Sequence, residues 1–224
     1  MRQAGAAEFD SVPPRQRLHP LGTRPNGRRL PDVGASCGYR QKMLYFSLKR
    51  VRETSAMQRI IIIGCCGSGK STLAVKLAQK LCLPLVHLDR LKFFGNWQER
   101  SKDEFNKLLL AELEKPRWII DGNYNRTIPL RMEYCDTVIF LDFKRTACLW
   151  GVITRIIKYH GKTRPDMGGN CPERLDFEFL RFVWDFKTKH RKRYLEMLEN
   201  AIDKKVIILR NRRQVKKFLN EVDK

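Results

Sequence analysis

Arg59-Ile60-Ile61-Ile62-Ile63-Gly64-Cys65-Cys66-Gly67-Ser68-Gly69-Lys70-Ser71 is the stretch from which the fold can be read. The four isoleucines are too short a run for a helix and too β-branched, so they read as a strand buried on both faces. Gly64 to Ser71 then satisfies the pattern GxxxxGK[ST] in full, between a strand and the helix that follows. Glycines let the backbone wrap so that successive N–H groups point inward at an anion. The helix opening near Lys70 adds the positive end of its dipole. Lys70 is placed to reach the β- and γ-phosphates of a nucleoside triphosphate, and the Ser71 hydroxyl to coordinate magnesium. Gly64, Cys65, Cys66, Gly67, Ser68, Gly69, Lys70, Ser71 and Thr72 are therefore the predicted nucleotide-binding residues, with ATP and Mg2+ as cofactors. Cys65 and Cys66 read as small residues in a tight loop, with a redox-sensor role as the weaker alternative.

Downstream of this loop, strand and helix patterns alternate. Leu73, Leu77 and Leu81, with Ala74 and Ala78, mark one face of a helix. Leu85–Leu88 reads as a second strand ending at Asp89. Ser101 with Glu104 forms a capping box opening a helix that carries Phe105, Leu108, Leu109 and Leu113 and stops at Pro116. Trp118-Ile119-Ile120 is a third strand ending at Asp121, and 137–141 a fourth ending at Asp142. A helix follows through Leu149, Val152, Ile153, Ile156 and Ile157, then a charged, flexible stretch over 161–170. Pro172 is predicted to open a long helix to about Asn200. A fifth strand at 206–209 and a helix starting at Asn211, with Gln214 three residues on, complete the chain. Five short apolar strands alternating with helices imply an α/β protein with a parallel sheet covered on both faces. The carboxyl ends of such strands form the ligand crevice.

Composition narrows the function. The 224 residues include 45 Lys and Arg against 24 Asp and Glu, a net charge of +21, and 42% are hydrophobic, enough for a sizeable core. No apolar run approaches the ~18 residues needed to span a bilayer, so no membrane role is expected. Seven cysteines without CxxC spacing argue against a zinc ribbon or disulfide framework and fit a reducing, cytoplasmic setting. Residues 1–56 hold five of the ten prolines, five of the fourteen glycines and a net +7. They read as a disordered basic extension, outside the kinase-like domain of residues 57–224. Arg52–Glu53 can be encoded by purine-rich codons resembling a bacterial ribosome-binding site, three residues ahead of Met57. The expectation is that Met57 is the natural start.

Two further acids stand out. A P-loop needs a second carboxylate to hold the metal's water shell, usually at the end of a neighbouring apolar strand. Asp121, followed by Gly122, fits that role better than a plain turn cap. Asp89 at the end of strand two is placed to orient or deprotonate an acceptor hydroxyl, the alternative being a pair with Arg90 or Lys92. His87 reads as a packed histidine.

These segments, together with Trp97, Ile119-Ile120-Asp121-Gly122-Asn123-Tyr124, Leu141-Asp142-Phe143, Gly161-Lys162-Thr163-Arg164-Pro165-Asp166 and Cys171-Pro172-Glu173-Arg174, resemble the bacterial adenylate-kinase-like P-loop proteins labelled DNA topology modulation proteins. The resemblance runs from Met57 to near the C-terminus. It implies a P-loop NTPase fold, a sheet in the order 2-3-1-4-5, an acceptor region that includes Tyr124 and Arg126, and a helical lid over about residues 144–200. Arg126 departs from the adenylate-kinase motif, lying five rather than four positions after the acid and lacking the usual intervening Pro.

Arg145, Arg155, Arg164, Arg174 and Arg181 fall in the lid segment, where arginines can close on a transferring phosphoryl group. Arg155 and Arg164 bracket the 161–170 break and are the predicted catalytic pair, beside Lys70 and Asp89. The aromatics between Phe177 and Trp184 fit helix packing better than base stacking. The basic run Lys187–Arg193 reads as a solvated face or a track for a phosphate backbone. The leading expectation is a kinase moving the γ-phosphoryl group of ATP to a hydroxyl of a nucleoside or other small molecule. The alternatives are a DNA-binding protein with a regulatory or vestigial nucleotide site, and a kinase of nucleic-acid ends. The sequence leaves the acceptor and the oligomeric state open.

Overall fold

The computed structural model describes residues 57–222, and the expectations about residues 1–56 lie outside them. Along the chain it runs β1 (Arg59–Gly64), α1 (Lys70–Leu81), β2 (Leu85–His87), α2 (Leu88–Lys92), β3 (Phe93–Gly95), β4 (Gln98–Glu99), α3 (Lys102–Leu113) and β5 (Trp118–Asp121). A 3-10 turn (Asn125–Thr127) leads into α4 (Ile128–Tyr134), β6 (Thr137–Leu141), α5 (Arg145–Tyr159), α6 (Phe177–Lys189), α7 (Arg191–Glu199), β7 (Lys205–Leu209) and α8 (Arg212–Glu221).

Five strands pair in parallel in the order β2-β5-β1-β6-β7. Counting only the sheet's own strands along the chain, this is the order 2-3-1-4-5. The central β1 is flanked on both sides, which is why Ile60 to Ile63 are fully buried. Each such side chain is worth roughly 1.5–3 kcal/mol relative to exposure. The chain is an α/β protein of P-loop architecture.

Several local expectations differ from the structure. Strand two ends at His87, because Leu88 turns into the short helix α2 and places Asp89 in its first turn. The β3–β4 hairpin carries no alternating pattern and has no counterpart in the sequence reading. Only half of the capping box forms. Ser101 accepts from the Glu104 N–H at 3.2 Å, but the Glu104 carboxylate takes Arg100 Nε at 2.9 Å instead of reaching back. No helix opens at Pro172, which lies in a bridge with Thr163, and α6 begins five residues later, capped by Asp176. A break at His190 separates α6 from α7. On α5 the buried stripe is Cys148, Val152 and Ile156, while Ile157 is 74% exposed. The aromatic stretch packs only in part: Phe177, Phe182 and Trp184 are exposed and Phe186 is the buried ring. The C-terminal helix is capped as expected, Asn211 accepting from Gln214 N–H and Gln214 accepting from Arg210 N–H.

Segment 161–170 is packed rather than loose. Met167 is buried. A Cβ on Gly168 would come within 2.4 Å of the Phe93 carbonyl, and one on Gly169 within 2.5 Å of the Phe94 carbonyl. The Asn96 N–H donates to the Asn170 carbonyl at 2.7 Å and Trp97 Nε1 to the Pro172 carbonyl at 3.1 Å. The hairpin and residues 168–172 hold each other.

Candidate active site

Helix α1 differs from α3, α6 and α8 in how it starts. Those three have side-chain caps from Ser101, Asp176 and Asn211. Helix α1 starts from Gly69 in the left-handed region at φ 92°, with no side-chain cap and no acid in its first turn. Its leading N–H groups have no side-chain acceptor, as is also true of α5, and the glycine loop before it is what fits them to an anion. Gly67, at φ 76°, lets the loop lie flat against α5, where a Cβ would be 2.1 Å from the Cys148 carbonyl. Gly64 N–H donates to Asn123 Oδ1 at 3.0 Å, tying the loop to the turn after β5. Lys70 Nζ donates to the Cys65 carbonyl at 3.1 Å. Ser68 Oγ is buried with no hydrogen-bond partner.

Cys65 is buried, its Sγ 3.7 Å from the Val183 carbonyl. The hydrogen bond with the Cys148 thiol, and then burial, push its pKa up, while the same bond draws the Cys148 thiol down.

Asp121 closes β5 directly opposite His87 of β2. His87 Nδ1 lies 3.0 Å from Asp121 Oδ2. The other oxygen, Oδ1, is buried without a partner. An orphaned carboxylate oxygen costs about 1–3 kcal/mol or more, and it is an acceptor that a magnesium-bound water would satisfy. Among the described residues no three His, Cys, Asp or Glu side chains form a metal cage. Phosphates and water would therefore supply most ligands beside Ser71 and Asp121, the usual arrangement for magnesium. Asp142 is not a substitute for Asp121, because Arg191 grips both of its oxygens at 2.8 Å.

Asp89 lies beyond Asp121. Tyr124 Oη donates to its Oδ1 at 3.0 Å, and Arg164 approaches its Oδ2 at 3.8 Å. Burial raises its pKa, Arg164 opposes that, and the nearby Asp121 charge raises it further. The side chain nevertheless keeps 38% of its surface open, so the carboxylate is flanked by protein yet reachable. Burial, then the Asp89 charge, push the Tyr124 phenol up, so it remains a donor. The pair Arg90 or Lys92 with Asp89 does not form. Arg90 donates to the Pro165 carbonyl and Lys92 pairs with Glu99.

Arg155 and Arg164 meet on Glu173, a residue to which the sequence reading gave no role. Glu173, 5% exposed, accepts from Arg155 Nε and an Arg155 terminal nitrogen at 2.9 and 2.6 Å through Oε1, while Arg164 Nε lies 2.8 Å from Oε2 as an ion pair without hydrogen-bond alignment. Arg164 also pairs with Asp166 at 2.9 Å. Arg126 points elsewhere: it is exposed and donates to Asn106 of α3 at 2.9 Å. Tyr124 and Arg126, adjacent in the motif, thus diverge.

Beneath this turn Arg131 is completely buried, donating to the carbonyls of Gly122 at 2.8 Å, Tyr124 at 3.4 Å and Asn123. Burial lowers its pKa to about 10, leaving it charged at neutral pH. It holds Tyr124 at φ 37°, a left-handed conformation that a tyrosine rarely adopts. Nothing in the sequence distinguished this arginine from a surface one. Arg131→Leu would orphan the Gly122 and Asn123 carbonyls at ~1–3 kcal/mol each, the Tyr124 carbonyl keeping its Thr127 donors, so a loss of about 2 kcal/mol or more is expected in urea unfolding.

No protein-family model matches the chain, and no curated protein sequence does, so the DNA topology label is without support. Among solved structures, the chain is similar to shikimate kinase from Acinetobacter baumannii, at 13% identity over 75% of this chain and 91% of that one, TM-score 0.49. It is also similar to shikimate kinase from Bacteroides thetaiotaomicron (18%, 75% and 96%, 0.45). A third is a gluconokinase from Sinorhizobium meliloti (15%, 74% and 89%, 0.44). At these identities the likeness says nothing of the substrate.

Proposed function

We propose that the chain is an ATP-dependent phosphotransferase whose acceptor is a hydroxyl group of a small molecule. The observation that carries this reading is the Asp89 carboxylate, held by Tyr124, open on one side and within the electrostatic reach of Lys70 and Asp121. A carboxylate there repels an incoming phosphate and accepts a hydroxyl.

In this mechanism the backbone of Gly64–Ser71 cradles the phosphates. Lys70 leaves the Cys65 carbonyl for the β- and γ-phosphates. Ser71 and Asp121 would hold magnesium, which would neutralise charge on the phosphate oxygens. Asp89 orients the acceptor hydroxyl and takes its proton as the new oxygen–phosphorus bond forms and the bond to the ADP oxygen breaks. Arg155 and Arg164, released from Glu173, add positive charge to the transferring group.

A nucleic-acid acceptor gains no support from the basic run. Arg191 turns inward to Asp142, and Lys189 and Lys192 pair with Asp185 and Glu196 along their own helices. No described helix is long and apolar enough to cross a membrane.

The test is ADP formation with and without magnesium across nucleosides, sugars, amino alcohols and nucleoside monophosphates. Stimulation by a hydroxyl compound without a phosphate is the expected result. Efficient use of a nucleoside monophosphate at its phosphate would reject the hydroxyl reading.

A further inference from the structure

Register brings His87 and Asp121 together. They are direct partners in the parallel β2–β5 ladder, both buried, at 8% and 5% exposure, and 3.0 Å apart through Nδ1 and Oδ2. Side chains at paired positions of a parallel ladder point to the same face. The contact therefore follows from backbone register and needs no flexible loop.

The bond divides the work between the two carboxylate oxygens. Oδ2 is taken by the imidazole, while Oδ1 is buried and has no partner. A lone carboxylate at a strand end rotates about its Cβ–Cγ bond and offers either oxygen. One clamped by a ring nitrogen offers a single oxygen in a single direction. The imidazole is itself fixed by the backbone of the edge strand, one residue before the turn into α2 that carries Asp89.

We infer that His87 is the positioning residue of the metal-side carboxylate: it clamps Asp121 Oδ2 so that Oδ1 faces the magnesium shell. This rests on the metal role of Asp121 proposed above. Partners that orient a metal-side ligand in this way typically change metal affinity by about 10–100-fold when removed.

Two substitutions separate clamping from packing. His87→Phe keeps a ring of similar size and removes the N–H. His87→Asn removes the ring but places an amide N–H at the same bond distance from Cβ as Nδ1. ATP affinity is measured by calorimetry with and without magnesium, beside the melting temperature. The parent is expected to gain affinity on magnesium addition. His87→Phe is expected to lose about tenfold or more of that gain with metal-free affinity unchanged, while His87→Asn retains most of it despite a lower melting temperature. Equal gains in parent and His87→Phe, or loss in His87→Asn with retention in His87→Phe, would overturn the inference. Should His87→Phe not fold, His87→Asn set against the parent decides alone, because losing the gain there contradicts the clamp. If the parent itself gains nothing from magnesium, the metal role of Asp121 is what fails, and the inference goes with it.

Discussion

Lys70→Ala is expected to abolish ADP formation while the protein still folds. Lys70 is the first residue of α1, half-buried, and among the described residues its ammonium donates to the Cys65 carbonyl of its own loop. The isoleucine strand and the apolar face of α1 that support the loop do not include it. Its removal therefore costs the positive charge aimed at the phosphates and little packing. Losing one positioned charge of this kind costs on the order of 10²–10³-fold or more in turnover. Activity equal to that of the parent in a coupled ADP assay would reject the catalytic reading of the loop, and an unchanged circular dichroism melt would show that the fold is not at issue.

Asp89→Asn is expected to lower turnover by about 10²-fold or more, with ATP affinity nearly unchanged. The amide keeps the size and accepts from Tyr124, but it cannot take a proton. Two further readouts follow from the raised pKa. Turnover in the parent should fall on the acid side as Asp89 protonates, with a midpoint above the ordinary Asp value of 3.8. Because Arg164 holds that midpoint down, Arg164→Gln should move it higher. For stability, a carboxyl whose folded pKa is raised binds more protons in the native state than in the unfolded one. Its contribution is full at low pH and is lost as pH rises through the shifted value. The ionised group is then a modest burden at neutral pH, reduced by its 38% exposure. Asp89→Asn should melt higher than the parent at pH 7, with the gap closing toward pH 4. If Asp89→Asn turns over like the parent, Asp89 is a structural cap.

The features legible in the sequence are those set by local rules. Ile60 to Ile63 could only be a doubly covered strand, and the glycines of Gly64–Ser71 announced the tight turn that joins it to α1. The Asn211 cap depends on residues three apart. What escaped depends on contacts across the fold. His87 meets Asp121 through β2–β5 register, and the clasp on Glu173 joins α5 to a segment 18 residues later. Arg131 reaches back to carbonyls that offer no side-chain signature. The family resemblance placed Arg126 at the acceptor despite its departure in spacing, yet the 3-10 turn at 125–127 aims it at α3. The single helix expected from 172 to 200 failed because Thr163 and His160 recruit Pro172 and Glu173 into bridges first.

Gly67 and Gly151 have a consequence for how the molecule moves. A Cβ on Gly151, in the interior of α5, would lie 2.0 Å from the Gly67 carbonyl. Alanine at such a helical position ordinarily gains about 1 kcal/mol over glycine, yet here there is no room for it. The two backbones touch with nothing between them, so the middle of α5 travels with the phosphate loop as one solid piece. Any movement of segment 161–170 against the phosphate loop would therefore have to be taken up beyond Gly151, and the ion pairs of Arg155 and Arg164 with Glu173 are the contacts such a movement would break.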